Sequence, residues 1–312
     1  MSEREFLHQV CVYRSAEEFL ATTLPFIRDG LRLGDPVLAV TTPANVELIE
    51  NALGADAGGV EFADAESWYG TPLATLSAYN RYVARWREHP GHVRIVGEPV
   101  WSRRTVQQVV EWQRYESALN IAFASSPAWA VCTYDARALD PAIVINARRT
   151  HPEVATGPDT ASRCAEYVAP ADFFRLCDAV TPLPGPPPDA AVLPFTGDLS
   201  SVRRFATFQA MRHGLTGDRV MLFVAAAVEA ATHVAEQGSR RLVVRMWSSE
   251  GKVVFAITAP DVRVVDPVLG YAPPSLRERP GDGLWFVRQV CELVEIRPGD
   301  PGMTVRLHFP II

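Results

Sequence analysis

The stretch Thr181-Pro-Leu-Pro-Gly-Pro-Pro-Pro-Asp-Ala-Ala-Val-Leu-Pro194 decides how the chain is divided. Proline fixes φ and lacks the N–H that a helix needs, so a run this dense reads as an extended, semi-rigid linker. The 312 residues suffice for about two domains, and the linker at 181–194 separates residues 1–180 from 195–312. Upstream of it, runs of strand length alternate with amphipathic segments: His8 to Tyr13, Ala16 to Leu33, Pro36 to Thr41, Ala44 to Leu53 and Val60 to Phe62. The alternation continues with Leu73 to Glu88, His92 to Gly97, Thr105 to Ser125 and Ala128 to Tyr134. This order predicts an α/β domain with a mainly parallel sheet covered on both faces, whose ligands bind beyond the carboxyl ends of its strands.

Downstream of the linker the order changes. A strand (Ala191 to Pro194) precedes two helices (Leu199 to Met211, Asp218 to Glu236) and two strands (Arg241 to Ser248, Val253 to Thr258). A stretch rich in Pro and Gly, a helix (Gly283 to Leu293) and two strands (Val294 to Arg297, Met303 to Phe309) complete it. Helices and antiparallel hairpins grouped this way predict an α+β sandwich.

Composition narrows the chemistry. Hydrophobic residues make up 48% and charged residues 21%, a globular balance. No apolar run reaches the ~18 residues of a membrane span, and the N-terminus lacks the pattern of a signal peptide, so the expected location is the cytoplasm. The five cysteines form no CxxC pair, which suggests neither a disulfide framework nor a cysteine zinc site. The 30 basic residues are 29 arginines and Lys252, in a Ser-Ser-Glu-Gly-Lys turn, which removes P-loop chemistry, kinases that hold the nucleotide phosphates with a strand lysine, and Schiff-base chemistry. A net charge of −6 argues against nucleic acid as a partner.

Gly281-Asp-Gly-Leu-Trp-Phe-Val-Arg-Gln-Val-Cys-Glu-Leu-Val-Glu-Ile-Arg-Pro298 and Gly302-Met-Thr-Val-Arg-Leu-His-Phe-Pro310 carry a resemblance over 191–312. The segment resembles the anti-sigma-factor branch of the histidine-kinase-type ATPase domains, small serine kinases of the GHKL fold. The resemblance implies ATP and magnesium as cofactors, a sigma factor or anti-sigma antagonist as partner, and a homodimer. It places Glu229 as the catalytic base and His233, Asp261, Gly281, Gly283, Leu284 and Thr304 around the nucleotide. Glycines that let the backbone approach phosphate, before a new helix, fit that reading. A helix start with two turn glycines is the ordinary alternative. Glu229-Ala-Ala-Thr-His233 keeps the family's spacing but puts His where Asn holds magnesium, a poor ligand for a hard ion. Val262 and Arg263 stand where small residues shape the adenine pocket. The module is therefore read as an active serine/threonine kinase or ATPase, or as a binding-only pseudo-kinase. Arg203 and Arg204 stand in the region of partner contact, and arginines suit acidic partners.

The upstream half carries a second resemblance, on His8, Tyr13-Arg-Ser-Ala-Glu-Glu-Phe-Leu20, Val93-Arg-Ile-Val-Gly-Glu-Pro-Val-Trp101, Glu111-Trp-Gln-Arg-Tyr-Glu-Ser-Ala-Leu-Asn120, Cys132-Thr-Tyr-Asp135 and His151-Pro152. These resemble the MEDS sensory domain, which implies a RecA-like fold and the sensing of a small molecule or a partner. The segment after the first strand has neither the glycines nor the lysine of phosphate binding. Glu98, Tyr134 and Asp135 follow or end strands, and Trp112, Glu116 and Asn120 recur at i, i+4 and i+8 on one helical stripe. With Trp101 these make the expected sensory pocket, although Glu116 serves equally as a structural brace. His8 and His151 lie at opposite ends of the domain and define no ligand spacing, so no metal is assigned.

Overall fold

The computed structural model describes residues 5–155, 161–195, 197–239, 241–262, 266, 268–272, 274, 282–299 and 302–311. The chain divides into two compact units, Met1–Cys177 and Asp178–Ile312.

The first unit runs β1 (Leu7–Tyr13), α1 (Ala16–Leu33), β2 (Val37–Thr41), α2 (Pro43–Leu53), β3 (Val60–Asp64), α3 (Ala65–Trp68), α4 (Pro72–Arg85), β4 (Val93–Gly97) and α5 (Val106–Ala122). Then come β5 (Ala128–Asp135), α6 (Pro141–Thr150), β6 (Glu153–Ala155), β7 (Ala161–Arg163) and α7 (Pro170–Val180), whose last residues enter the second unit. Its sheet has the order β3-β2-β4-β5-β1-β6-β7, parallel except for the β6–β7 pair. Local chemistry sets the boundaries: the Ser15 hydroxyl caps the first turn of α1, and Gly34, at φ 76°, ends it in a left-handed turn. One sheet face packs against the α1 and α2 side of the core through Cys11, Tyr13, Phe19, Ile27, Ile49 and Val131. On the opposite face lie α5 and the cluster described below.

The second unit contains β8 (Ala191–Phe195), α8 (Leu199–Arg212), α9 (Asp218–Glu236), β9 (Leu242–Ser249), β10 (Lys252–Ala259), α10 (Asp282–Val290), β11 (Leu293–Gly299) and β12 (Gly302–Pro310). Its strands form one antiparallel sheet, β11-β12-β10-β9-β8. An alanine-rich face of α9 (Ala226, Ala227, Ala230, Ala231) lets that helix approach the sheet closely, with Phe223, Phe255 and Phe309 filling the space between. The proline-rich segment read as a linker runs beside the other sheet face, where Arg306 donates to the Pro184 carbonyl at 2.7 Å.

Both units are mixed α/β, with a mostly parallel sheet first and an antiparallel one second. The elements not expected from sequence are α3, α6, α7 and the three-residue strands β6 and β7.

Candidate functional site

Helix α5 is buried on almost every side, including Glu111, Gln113, Arg114, Glu116 and Ser117. A helix surrounded by protein is expected to be apolar all round, so these polar groups need partners inside. Arg114 pairs with Glu111 at 2.9 Å and lies over the Phe174 ring. Glu116 faces the sheet instead. There the parallel register sets His8 of β1 beside Ala130 and Val10 beside Cys132, so His8, Cys132 and Tyr134 share the face beneath α5. His151, at the carboxyl end of α6, completes the group.

His8 Nε2 is 3.4 Å from Cys132 Sγ, and His151 Nε2 is 3.7 Å from a Glu116 carboxylate oxygen. The Tyr134 hydroxyl lies 3.4 Å from the same carboxylate, and the two imidazole centroids are 3.9 Å apart. All of these side chains are buried. Burial pushes the Glu116 carboxyl up to about 8, although hydrogen bonds from Tyr134 and Cys132 pull the other way. It also pushes His151 down to about 4, holds His8 well below its ordinary value, with the His151 ring adding to the effect, and raises the Cys132 thiol. Taken alone, the four groups favour their neutral forms.

Beside them lies an internal cavity of about 20 Å³, room for about one water, lined by Glu116, Cys132, Gly97 and the rings of Tyr69, Tyr79 and Tyr115. The Tyr69 and Tyr79 hydroxyls bond each other at 2.7 Å, and the buried Tyr115 hydroxyl has no hydrogen-bond partner. Trp112 packs tilted against Tyr69 and edge-on against Tyr115 behind this wall, with Arg104 over its face. Trp101 is buried 6.2 Å from the Tyr134 ring. Asn120 donates to the Thr150 carbonyl at 2.8 Å and meets His8 Nδ1 at 3.1 Å.

Of the seven residues expected in the sensory pocket, Glu116, Asn120, Tyr134 and Trp101 therefore gather around one interior group, with Trp112 one ring removed. Glu98 and Asp135 belong to a different network at the carboxyl ends of β1, β2 and β4. Glu98 accepts from the Tyr13 hydroxyl at 3.0 Å, the Thr42 N–H at 3.1 Å and Asn45 Nδ2 at 2.9 Å, and also from Thr41. Asp135 pairs with Arg137, which lies over the Tyr13 ring. Burial, with Glu98 next, raises the Tyr13 phenol above its ordinary value. The sequence reading set His8 and His151 aside for want of spacing and left Cys132 without a role. The topology supplies the missing spacing by laying β1 between β5 and β6.

In the second unit, Glu229 is exposed on α9, and a Cβ at Gly283 would overlap its carboxylate, so the two residues lie against each other. Leu284 is fully buried in the helix–sheet core. His233 is buried, its Nδ1 has no hydrogen-bond partner, and burial holds the imidazole below its ordinary value. Asp261 is exposed and accepts from Ser239, while Val262 belongs to the core. Thr304 alternates with the buried Met303 and Val305, so its hydroxyl bonds Thr258 on the face away from the helices. Gly281 and Arg263 lie outside the described residues. A magnesium nucleotide needs hard oxygen donors near the phosphates, and a buried imidazole with Thr304 across the sheet does not supply them. Among the described residues, this set does not fit the group. Arg203 and Arg204 are exposed on α8, and Phe208, Met211, Met221 and Leu222 of α8 and α9 are exposed as well.

Residues 7–152 match the family model described as MEDS, the methanogen/methylotroph, DcmR sensory domain. No curated protein matches the chain. The match covers the interior group, from His8 to His151, and points to sensing and signal transduction. Among the described residues, no helix is long and apolar enough to cross a membrane.

Proposed function

We propose that the chain is a cytoplasmic signalling protein in which the first unit, a RecA-like sensory domain, takes up a small molecule and the second acts as an anti-sigma-type module of the GHKL fold. The observation that carries the sensory half is the cavity beneath α5, which lies inside the segment similar to a sensory domain. Its aromatic walls and few polar groups suit a small, largely apolar ligand, and anything larger than about one water displaces the packed tyrosines as it enters. The regulatory half rests on the motif resemblance over 191–312 and is supported by an antiparallel sheet with helices packed on one face. Exposed apolar side chains beside Arg203 and Arg204 suit a second copy, a sigma factor or an anti-sigma antagonist.

Co-purification of the tagged full chain from its host tests the regulatory half. Recovery of a sigma factor or an antagonist protein is the expected result, and failure with every such protein of the host defeats it. For the sensory half, small molecules are screened for a shift in thermal unfolding that Tyr115→Phe or Gly97→Ala abolishes.

A second reading, the binding-only pseudo-kinase, is favoured by the buried His233 and by Thr304 on the far sheet face. It predicts weak or absent ATP binding that magnesium does not improve, whereas an active serine/threonine kinase would gain affinity with the ion.

A further inference from the structure

Four side chains with metal-binding atoms converge in the first unit from β1, α5, β5 and the end of α6, and their ligand atoms all lie within 4.8 Å of one another. We propose that His8, Glu116, Cys132 and His151 form a binding site for a borderline divalent metal ion, with zinc as its natural occupant. The inference does not depend on what the cavity senses.

The hydrogen bonds around the two imidazoles settle which nitrogen faces the cluster. Asn120 uses its Nδ2 to donate to the Thr150 and Ser117 carbonyls, so its Oδ1 is the atom that meets His8 Nδ1, and His8 must donate from that nitrogen. His151 Nδ1 lies 2.7 Å from the Ala147 carbonyl and donates there. Both Nε2 atoms are therefore bare lone pairs. They point toward the thiol and the carboxyl, and the buried His151 Nε2 has no hydrogen-bond partner. A second ring nitrogen fixed by a carbonyl is the usual outer support of a metal-ligating histidine.

Spacing agrees with this. A tetrahedral centre with bonds of about 2.0–2.3 Å sets its ligand atoms about 3.3–3.8 Å apart. The His8–Cys132 separation of 3.4 Å and the His151–Glu116 separation of 3.7 Å fall in that range. As a hydrogen-bonded brace the cluster is incomplete, because 3.7 Å is too long for a Glu116 hydroxyl to serve the His151 nitrogen.

Charge and softness select the ion. When the thiol and carboxylic acid each release a proton, one thiolate and one carboxylate balance a divalent cation, leaving a neutral centre suited to a buried site. Two imidazoles and a thiolate disfavour magnesium and calcium and fit zinc, with cobalt(II) as its spectroscopic substitute.

The full chain, stripped with a chelator and desalted, is titrated with zinc chloride and separately with cobalt(II) chloride. Expected are one tightly retained zinc per chain and, for cobalt, a thiolate-to-metal charge-transfer band with the d–d absorption of a four-coordinate ion. Cys132→Ser should abolish the charge-transfer band, His151→Gln should weaken zinc at least ~10-fold, and Cys11→Ser should change neither. A wild-type chain that retains no zinc and gives no cobalt band overturns the proposal, as does a band that survives Cys132→Ser. If the variants do not fold, zinc X-ray absorption on the wild-type chain decides. One sulfur at about 2.3 Å with nitrogen or oxygen neighbours near 2.0 Å supports the site, and a shell without sulfur overturns it.

Discussion

The two units differ in where the central carboxylate of each candidate site lies, buried at Glu116 in the first and exposed at Glu229 in the second. In the first, Asp35, Arg94, Glu111, Arg114, Glu116, His8 and His151 are all buried, several between sheet and helix. In the second, His233, Arg288, Glu295, Arg297 and Arg306 are buried too, but the helix-facing core is largely apolar and the carboxylates Glu229 and Asp261 are exposed, as are Arg203 and Arg204. Taking charge out of water costs several kcal/mol per ion unless partners are supplied, so a buried polar group is tied to the stability of the unit that holds it. Substitutions at the polar groups of the first unit should therefore disturb folding and function together. At the exposed carboxylates of the second unit the two should separate.

The largest test of this contrast is Arg94→Ala. Arg94 is 2% exposed, bonds Asp35 at 2.9 Å and Asp29 at 2.6 Å, and lies over the Phe26 and Trp129 rings. Removing it breaks a buried ion pair and leaves His89, 3.1 Å away, as the remaining partner of Asp35, and the expected loss is about 3–5 kcal/mol. Hydrogen exchange followed along the full chain should show the loss in residues 5–155 and little change in 197–262. Equal loss in both units would break the contrast.

A smaller effect is expected at Gly97, where a methyl group would stand 2.8 Å from the Tyr69 hydroxyl and 3.4 Å from that of Tyr79. Gly97→Ala must push this tyrosine pair aside in a packed interior, at a cost of about 1–3 kcal/mol. Near-ultraviolet circular dichroism of the tyrosines should change with it. An unchanged spectrum and stability would mean that the cavity beside Glu116 has more slack than the tyrosine hydroxyls imply.

Acid sharpens the comparison by direction. Burial raises the Asp29 carboxyl, but hydrogen bonds and charge from Arg32 and Arg94 outweigh it and hold the group below its ordinary value. The unfolded chain then takes up the proton first as pH falls. Asp29 thus contributes stability that is complete above its unfolded pKa of about 4 and is lost as pH drops through the lower folded value. Denaturant midpoints of the first unit should fall across that window in the wild-type chain and fall less in Asp29→Asn, which has no proton to take up. A parallel loss in both proteins would remove Asp29 as the cause.

The elements with strong local signals were legible in the sequence. The predicted helices Ala16 to Leu33 and Asp218 to Glu236 coincide with α1 and α9, because long apolar periodicity coincides with a Ser15 cap and Gly34 stop in one and a Gly217 start in the other. The three-residue strands β6 and β7 carry too few alternations to register. The interior cluster was hidden for another reason. His8, Glu116, Cys132 and His151 each lie in a segment that resembles the sensory family, but their convergence depends on which strand lies beside which, and that is settled by non-local pairing. The sheet face of Thr304 was not legible from the motif: it stands one residue away from the core-facing Met303, and its hydroxyl meets Thr258.

The smallest effect is expected at Glu229, where the contrast makes its narrowest claim. The side chain is exposed on α9 and its carboxylate touches Gly283, which offers no side-chain donor to hold it. Glu229→Gln keeps the shape and removes the charge, so no cavity opens and no buried partner is stranded. Stability should stay within about 0.5 kcal/mol of wild type, as for surface substitutions remote from special features. If the second unit is a binding-only module, phosphorylation of an antagonist protein is absent in both forms, and co-purification with a sigma factor survives the substitution. Should Glu229 act as a base, radiolabelled phosphate transfer would be present in the wild type and lost in the variant at unchanged stability. Loss of folding on this exchange would refute the contrast itself, because it would show that an exposed carboxylate of the second unit is as closely tied to the fold as the buried ones of the first.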